Sequence, residues 1–196
     1  MTTYDSLFRA FNPKSIALVG ASSRPGNVGR ALLQNMVGSA YEGAVYPVNP
    51  RRQSLMGMKV YPDLRSIPDP VELAIIATPP ESVPEIVEQC GTCRIGAAVI
   101  VSAGFHEAGR AGQRLLDRVA KKAKDGNVRL IGPNCLGFMR PAIGLNASFA
   151  NVLARPGRLA FISQSGALCT AILDWSLREK IGFSHFVSIG SMIDIG

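Results

Sequence analysis

A glycine-punctuated loop near the start of the chain is the segment best suited to bind an anion. An apolar run at Ile16–Val19 ends at Gly20, and Gly26 and Gly29 follow before an amphipathic helical pattern begins. A strand, a tight loop and a helix N-terminus in this order direct backbone N–H groups at an anion. The spacing departs from the usual dinucleotide fingerprint, because Ser22–Pro25 occupies the place of its second glycine. We therefore predict that this loop binds a nucleotide phosphate.

Two arginines follow the second apolar run, in the segment Asn49-Pro50-Arg51-Arg52. A chain that binds NAD usually has an acidic residue here, which holds the ribose hydroxyls. Two guanidinium groups suit instead a ribose that bears its own phosphate. Coenzyme A carries such a phosphate at the 3′ position and NADP at the 2′ position, so this observation leaves both cofactors open. A solvated basic turn is the alternative without a ligand.

Small or polar residues follow three further apolar runs. They are Thr78 and Pro79 after the third run, Ser102, Ala103 and Gly104 after the fourth, and Asn134 in a rigid turn after the fifth. Open parallel sheets bind ligands beyond the carboxyl ends of their strands. These segments leave room there for a flat or extended ligand. Taken alone, each of the first two is more typical of an ordinary loop, and Asn134 either binds a ligand or caps its turn.

The order of the predicted elements indicates an α/β fold with a doubly wound parallel sheet. Short apolar runs alternate with longer helical patterns, and several runs are apolar throughout, as expected when helices cover both faces of the sheet. We predict strands at Ser15–Val19, Ala44–Val48, Leu73–Ala77, Ala97–Val101 and Arg129–Ile131, and helices at Val28–Val37, Glu81–Cys90 and Gln113–Asp125.

A second unit follows the polar segment Ala154–Gly157. Its predicted elements are a strand at Arg158–Ser163, a turn at Gln164–Gly166, a helix at Ala167–Lys180 and a strand at His185–Ser188. These elements make one β-α-β unit, which is too little to complete a sheet. We therefore predict a first domain at residues 1–150 and an incomplete second domain at residues 156–196.

Composition and charge argue against several classes of protein. Hydrophobic residues make up 47% of the 196 residues, which is enough for a packed core. The apolar runs are shorter than the roughly 18 residues that a membrane span needs, and the N-terminus lacks a signal-peptide layout, so we expect a cytoplasmic protein without a membrane partner. The net charge is +7, but zinc-finger spacing, an aromatic RNA-binding strand and a long basic helix are all missing. We therefore expect no nucleic-acid partner.

Cys90 and Cys93 form the one closely spaced cysteine pair. The pair ends a predicted helix, where the helix dipole opposes a thiolate, so a redox function is not favoured. Zinc would need two further ligands, and Cys135 and Cys169 do not form a second close pair. We predict ordinary thiols and no metal site.

Six segments, in order along the chain, resemble the NDP-forming acyl-CoA synthetases, which include the ADP-forming acetate–CoA ligases and the succinyl-CoA synthetase α subunit. The segments are Phe11–Ser22 (FNPKSIALVGAS), Val48–Pro50 (VNP), Ala77–Glu81 (ATPPE), Val101–Phe105 (VSAGF), Gly132–Gly137 (GPNCLG) and Phe161–Leu168 (FISQSGAL). The resemblance implies a Rossmann-like CoA-binding domain followed by the start of a flavodoxin-like ligase domain. It also implies binding of CoA or an acyl-CoA for the reaction of an acid, CoA and ATP to acyl-CoA, ADP and phosphate.

The resemblance assigns roles to particular positions. The first CoA loop of the family falls on Ser22–Pro25, its basic contact on Arg51 or Arg52, and the segment along the CoA thiol arm on Ser102–Gly104. The basic contact is a lysine in the succinyl enzyme, so an arginine here keeps the charge but changes the geometry. That enzyme also has a glutamate near Ala103, which is missing here, so succinate is not favoured as the substrate. The predicted CoA-binding residues are Gly20, Ser22, Ser23, Arg24, Pro25, Gly26, Asn27, Val28, Asn49, Pro50, Arg51, Arg52, Thr78, Pro79, Ser102, Ala103, Gly104 and Asn134.

The start of the ligase-domain helix, which faces the transferred phosphoryl group in the family, falls on Ser163–Gly166. Backbone N–H groups at a helix start suit an anion. The predicted phosphate-binding residues are Ser163, Gln164, Ser165 and Gly166.

The family reaction passes through a phosphohistidine, but neither of the two histidines, His106 and His185, matches its position. We therefore assign no catalytic residue. ATP or ADP and Mg²⁺ would bind only to sequence or a subunit outside this chain, and the partners implied are an ATP-grasp domain or subunit and an oligomer. One alternative is the regulatory CoA-binding region of a fused protein lysine acetyltransferase. A second is an NADP-dependent oxidoreductase, although a Tyr-x-x-x-Lys or similar hydride-transfer arrangement is missing.

Overall fold

The structure, a computed structural model, describes residues 3–195. Residues 1, 2 and 196, at the outer ends of the two predicted domains, lie outside the described residues. In chain order the elements are α1 (Thr3–Phe11), β1 (Ser15–Val19), α2 (Val28–Val37), β2 (Ala44–Val48), β3 (Ser54–Leu55), β4 (Met58–Lys59), β5 (Leu73–Ile76), α3 (Val83–Thr92), β6 (Ala97–Ile100), α4 (Gly109–Asp125), β7 (Arg129–Ile131), β8 (Gly137–Arg140), β9 (Leu145–Ser148), β10 (Arg155–Ser163), α5 (Gly166–Arg178) and β11 (Gly182–Ser188).

Five parallel strands form the main sheet in the order β2-β1-β5-β6-β7. The chain moves outward from β1 in both directions, which makes the sheet doubly wound and places a topological switch point between β1 and β5. In β1, Ile16 and Leu18 pack with α2, whereas Ala17 and Val19 pack on the opposite face with α3 and α4. The predicted fold class is confirmed.

Most element bounds agree with the sequence. β1, β2, β7 and α2 have the predicted limits, and β5 and β6 end one residue early. Helix α3 is shifted by two residues, and α4 begins at Gly109 rather than at the predicted Gln113. Gly112 explains the difference in α4, because a methyl group there would collide with the carbonyl oxygen of Phe105. Glycine disfavours a helix, so the sequence did not indicate this first turn, although the close contact with Phe105 requires glycine at position 112.

A second, mixed sheet has the order β10-β11-β8-β9. Strands β10 and β11 run parallel, while β8 is antiparallel to both β11 and β9. One face packs against the α2 side of the main sheet through Phe138 and Val187, and α5 covers the other face through Leu173. The two predicted domains therefore share a sheet, and a boundary between residues 150 and 156 stays a prediction.

Several elements were not predicted: α1, the β3–β4 hairpin, β8 and β9. In the second unit, β10 and β11 begin three residues earlier than predicted and α5 spans Gly166–Arg178 rather than Ala167–Lys180. No helix within residues 3–195 is long and apolar enough to cross a bilayer.

The Cys90-x-x-Cys93 pair lies at the C-terminal end of α3, as the sequence indicates. Cys90 is fully buried in the core between the main sheet and α3, and Cys93 is half-buried. Burial raises the pKa of the Cys90 thiol to about 12 and also raises the pKa of Cys93. All four cysteines are free thiols. At neutral pH the thiols of Cys90 and Cys93 are protonated.

Replacing Gly29 by alanine is expected to destabilise the fold strongly. The new methyl group would collide with the backbone carbonyl of Gly20, and neither backbone can move without separating α2 from β1. We expect a loss of about 2–3 kcal/mol in the free energy of unfolding, measured by urea denaturation. The matched control is Gly166→Ala, in the first turn of α5, where a methyl group meets no atom within 4 Å. Equal losses in the two variants would contradict the packing role of Gly29.

The buried Cys90 thiol is expected to make stability depend on alkaline pH. Its pKa is raised from 9.0 to about 12 in the folded state, so the folded chain keeps a proton that the unfolded chain loses. Stability from this group is complete below pH 9 and falls as the pH rises towards 12, by at most about 1.4 kcal/mol per pH unit. Urea denaturation between pH 8 and 10.5 should therefore show a smaller slope with pH in Cys90→Ala. Cys93→Ala serves as the comparison and should change the slope less, because its thiol is only partly buried. An unchanged slope in Cys90→Ala would contradict this account.

Candidate functional site

The site lies at the carboxyl edge of the main sheet, beside the switch point between β1 and β5. Gly20 ends β1 with a φ of +95°, and a side chain there would collide with the backbone of Ala77, directly after β5. Gly29 lets α2 start directly against Gly20. These contacts bring the helix N-terminus over the strand ends, in the strand, tight loop and helix order that the sequence indicates.

The N-terminus of α2 is open for an anion. Asn27 caps the helix, since its Oδ1 atom accepts a hydrogen bond from the Gly29 N–H at 2.9 Å, and the first turn has no acidic residue. Gly26 has a φ of +74° and open space where a side chain would be. The Arg30 guanidinium donates to the Ser23 carbonyl at 2.9 Å and so shapes the loop. The positive end of the helix dipole remains unneutralised here.

Asn49 joins the loop after β2 to the loop after β1. Its Nδ2 atom donates to the Ala21 carbonyl at 2.8 Å, and its Oδ1 atom accepts from the Arg51 N–H at 2.8 Å. Both polar ends of this predicted binding residue thus have partners within the chain. Arg24, Arg51 and Arg52 are exposed, and no carboxylate of the described residues forms an ion pair with them. Their charges are available for an anionic ligand.

A cleft of about 700 Å³ opens between the N-terminus of α2, the ends of β5, β6 and β7, and the second unit. The predicted residues that line it come from four separate strand ends and from the start of α5. They are Gly26, Asn27, Val28, Thr78, Pro79, Ser102, Ala103, Asn134, Gln164, Ser165 and Gly166. The strand-end rule therefore brought together residues up to 108 positions apart in the chain, from Gly26 to Asn134, and the family resemblance added Gln164–Gly166.

Other predicted residues lie outside this lining. Pro25 borders a neighbouring hollow of about 480 Å³, which shares Gly26, Asn27 and Val28 with the cleft. The remaining ones are Gly20, Ser22, Ser23, Arg24, Asn49, Pro50, Arg51, Arg52, Gly104 and Ser163. Most of these belong to the loops after β1 and β2. The two strands are neighbours in the main sheet, so the loops that follow them lie side by side. Gly104, with a φ of +98°, packs against Pro80.

The second unit supplies another helix N-terminus to the same cleft. Ser165 caps α5 by accepting a hydrogen bond from the Leu168 N–H at 3.2 Å, and the first turn of α5 also lacks an acidic residue. Ser163 accepts from the Ser165 N–H at 3.1 Å and holds the turn. Two positive helix ends therefore face one cavity, which favours a ligand with more than one negative group.

Five lining residues were not predicted: Ala77, Val101, Cys135, Leu136 and Phe149. They are mainly apolar. The Phe149 N–H donates to the Leu136 carbonyl at 3.2 Å, which joins the two ends of the β8–β9 hairpin. The apolar runs on either side of Gly144 were the signal for this hairpin, and hence for the Phe149 wall.

Cys135 is part of the wall and not a nucleophile. Its Sγ atom donates to the Ile100 carbonyl at 3.3 Å, and burial raises the pKa of the thiol to about 12. Neither His106 nor His185 lines the cleft, and no carboxylate does so among the described residues. The chemistry available here is binding of an extended, multiply anionic ligand with an apolar part, without a general base or nucleophile.

Two family models match the chain. A CoA binding domain matches residues 14–141, and a succinyl-CoA ligase like flavodoxin domain matches residues 156–196. The first match covers more than half of the chain and includes every predicted CoA-binding residue. The second begins one residue after the start of β10.

Named relatives extend well beyond this chain. It is 44% identical over 183 residues to the ADP-forming acetate–CoA ligase I of Archaeoglobus fulgidus, which covers 93% of this chain and 26% of that protein. It is 40% identical over 194 residues to the α subunit of the ADP-forming acetate–CoA ligase I of Pyrococcus furiosus, covering 97% of this chain and 42% of that subunit. The chain thus spans less than half the length of either relative.

A solved structure shares the fold. It is the dinucleotide forming acetyl-coenzyme A synthetase 1 of Ca. Korarchaeum cryptofilum in complex with phosphate and ADP, with a TM-score of 0.90 at 38% identity over 97% of this chain and 40% of that one. The resemblance of the sequence to the NDP-forming acyl-CoA synthetases is thereby confirmed. The chain belongs to the CoA binding domain family of these ligases.

Proposed function

We propose that this chain is the CoA-binding part of an ADP-forming acyl-CoA ligase, which joins an acid to CoA at the expense of ATP. The observation that carries the proposal is the cleft, because it combines two helix N-termini with apolar and small neutral walls. CoA has the matching chemistry: three phosphate groups on the nucleotide and a long, largely neutral arm. When bound, CoA supplies the thiol that receives the acyl group.

The nucleotide end of CoA is assigned to the loops after β1 and β2. Exposed Arg24, Arg51 and Arg52 stand there without acidic partners among the described residues, and the N-terminus of α2 opens beside them. Guanidinium groups bind phosphate through paired hydrogen bonds. The 3′-phosphate therefore lies against Arg51 or Arg52, and the diphosphate lies at Ser22–Val28.

The thiol arm runs along the carboxyl ends of β5 and β6 towards α5. Thr78, Pro79, Ser102 and Ala103 leave room for a narrow chain, and Asn134 adds an exposed amide. The arm ends near Gln164–Gly166, where the N-terminus of α5 suits a phosphate or a developing negative charge. The residues of this chain bind and orient the ligand, and they supply no catalytic group.

The rest of the reaction belongs to other sequence. One relative is named as an α subunit, so we propose a partner subunit or domain of the ATP-grasp class that binds ATP or ADP with Mg²⁺, within an oligomer. Four free thiols suit a reducing compartment, in agreement with a cytoplasmic location. The relatives named above are ligases, which supports neither a regulatory CoA-binding region nor an NADP-dependent oxidoreductase.

Calorimetric titration with CoA, dephospho-CoA and NADP tests the ligand directly. We expect CoA to bind best and dephospho-CoA about tenfold more weakly, because the 3′-phosphate loses its guanidinium contact. The double variant Arg51→Ala with Arg52→Ala should bind CoA about tenfold more weakly and dephospho-CoA as the wild type does, since solvent-exposed charge contacts are modest.

A matched control removes two positive charges elsewhere. Lys121 and Lys124 lie in the C-terminal half of α4 and are exposed, so replacing both by alanine should leave CoA binding unchanged. Tighter binding of NADP than of CoA would overturn the proposed function. Equal loss of CoA affinity in both double variants would refute the contact at Arg51 and Arg52 alone.

A further inference from the structure

The segment Ile189–Ile195, named here the strap, contacts both walls of the cleft. The second-unit wall is the turn Ser163–Gly166 before α5, and the first-domain wall is the turn Gly132–Asn134 after β7. It leaves β11 beside the second-unit wall, where the Ile189 N–H donates to the Ser163 carbonyl at 2.9 Å. The Gln164 Nε2 atom, which belongs to the cleft lining, donates to the Met192 Sδ atom at 3.2 Å. The first half of the strap is thus bonded to the turn that begins α5.

The second half of the strap is bonded to the first-domain wall. The N–H groups of Ser191, Ile193 and Ile195 donate to the carbonyls of Pro133, Gly132 and Leu130 at 2.9, 3.3 and 3.3 Å. Through the Leu130 carbonyl the strap covers part of the outer edge of β7, the end strand of the main sheet. Gly190 passes so close to Pro133 and Asn134 that a side chain would collide with their backbone.

A two-point ion pair anchors the strap. The Arg129 Nε and Nη2 atoms donate to the two Asp194 carboxylate oxygens at 2.8 and 3.1 Å, and the Leu130 N–H donates to Asp194 Oδ2 at 2.8 Å. The side chains are only 24% and 31% exposed. Paired geometry and partial burial make this ion pair stronger than an isolated surface pair.

We propose that Asp194 is a positioning residue for the cleft, which acts through Arg129 and the strap to hold the α5 N-terminus against the Asn134 turn. The proposal rests on the proposed function and deepens it. A ligand that touches both walls gains affinity when the walls are held at a set distance before binding, because less ordering remains to be done on binding. A ligand that touches only the nucleotide end gains nothing from the anchor.

Two probes of different length test the proposal: CoA, which reaches both walls, and adenosine 3′,5′-bisphosphate, which reaches only the nucleotide end. Asp194→Asn keeps an acceptor for the Leu130 N–H and removes the charge, and Arg129→Gln removes the other partner. We expect each variant to bind CoA about three- to tenfold more weakly and the bisphosphate as the wild type does. Arg129→Lys keeps the cation and should recover part of the lost CoA affinity.

Controls separate this role from a general loss of structure. Arg118→Gln breaks a comparable but exposed ion pair with Glu85 between α3 and α4 and should change neither affinity. Amide hydrogen exchange should rise in Asp194→Asn at the strap and the first turn of α5 but not at α3.

Each result has a definite meaning. Wild-type CoA affinity in Asp194→Asn and Arg129→Gln overturns the positioning role, and so does an equal loss for both probes. A wild-type chain that binds neither probe overturns the proposed function itself, and the positioning role with it. Wild-type binding of CoA therefore distinguishes the two failures.

Discussion

The close approach of α2 to the end of β1 is the constraint on which the rest of the site depends. Gly29 lies against the Gly20 carbonyl, and Gly20 in turn lies against the backbone of Ala77. Because no side chain fits at either contact, three chain segments meet at backbone distance. The helix N-terminus consequently lies at the carboxyl edge of the sheet, close enough for its N–H groups to reach a ligand in the cleft. Every other wall is placed relative to this junction.

The sequence predicted the main sheet well because its strands are simple in physical terms. β1, β5 and β6 are buried along their whole length, and a strand buried on both faces reads as an unbroken apolar run. The second sheet was harder to predict. In β9, Asn146 and Ser148 are buried and satisfy each other, since Asn146 Oδ1 accepts from the Ser148 hydroxyl at 2.7 Å and from its N–H at 3.2 Å. In a sequence, Asn and Ser are typical of a loop, and only their mutual hydrogen bonds allow both to be buried in a strand.

The candidate site likewise combines residues that the sequence predicted with residues that it did not. The strand-end rule and the family resemblance found residues on both walls, from Gly26 to Gly166, since the rule depends only on the order of elements. Phe149 and Leu136 were missed, because the β8–β9 hairpin that joins them was not predicted. Its only local signal is the pair of short apolar runs on either side of Gly144. Asn49 has a structural part that its residue type did not indicate, since its side chain connects two loops, and its contact with a ligand stays a prediction.

The shared second sheet determines how a ligand can enter. β11 of the second unit is hydrogen-bonded to β8 of the first, and Phe138 and Phe186 of these two strands lie fully buried on opposite faces. A hinge motion between the units would have to unzip this sheet and expose both aromatic rings to water, at a cost comparable to partial unfolding. The shared sheet therefore keeps the two units from separating, so that a ligand enters the cleft without a large hinge motion, while the strap sets the finer position of the α5 N-terminus.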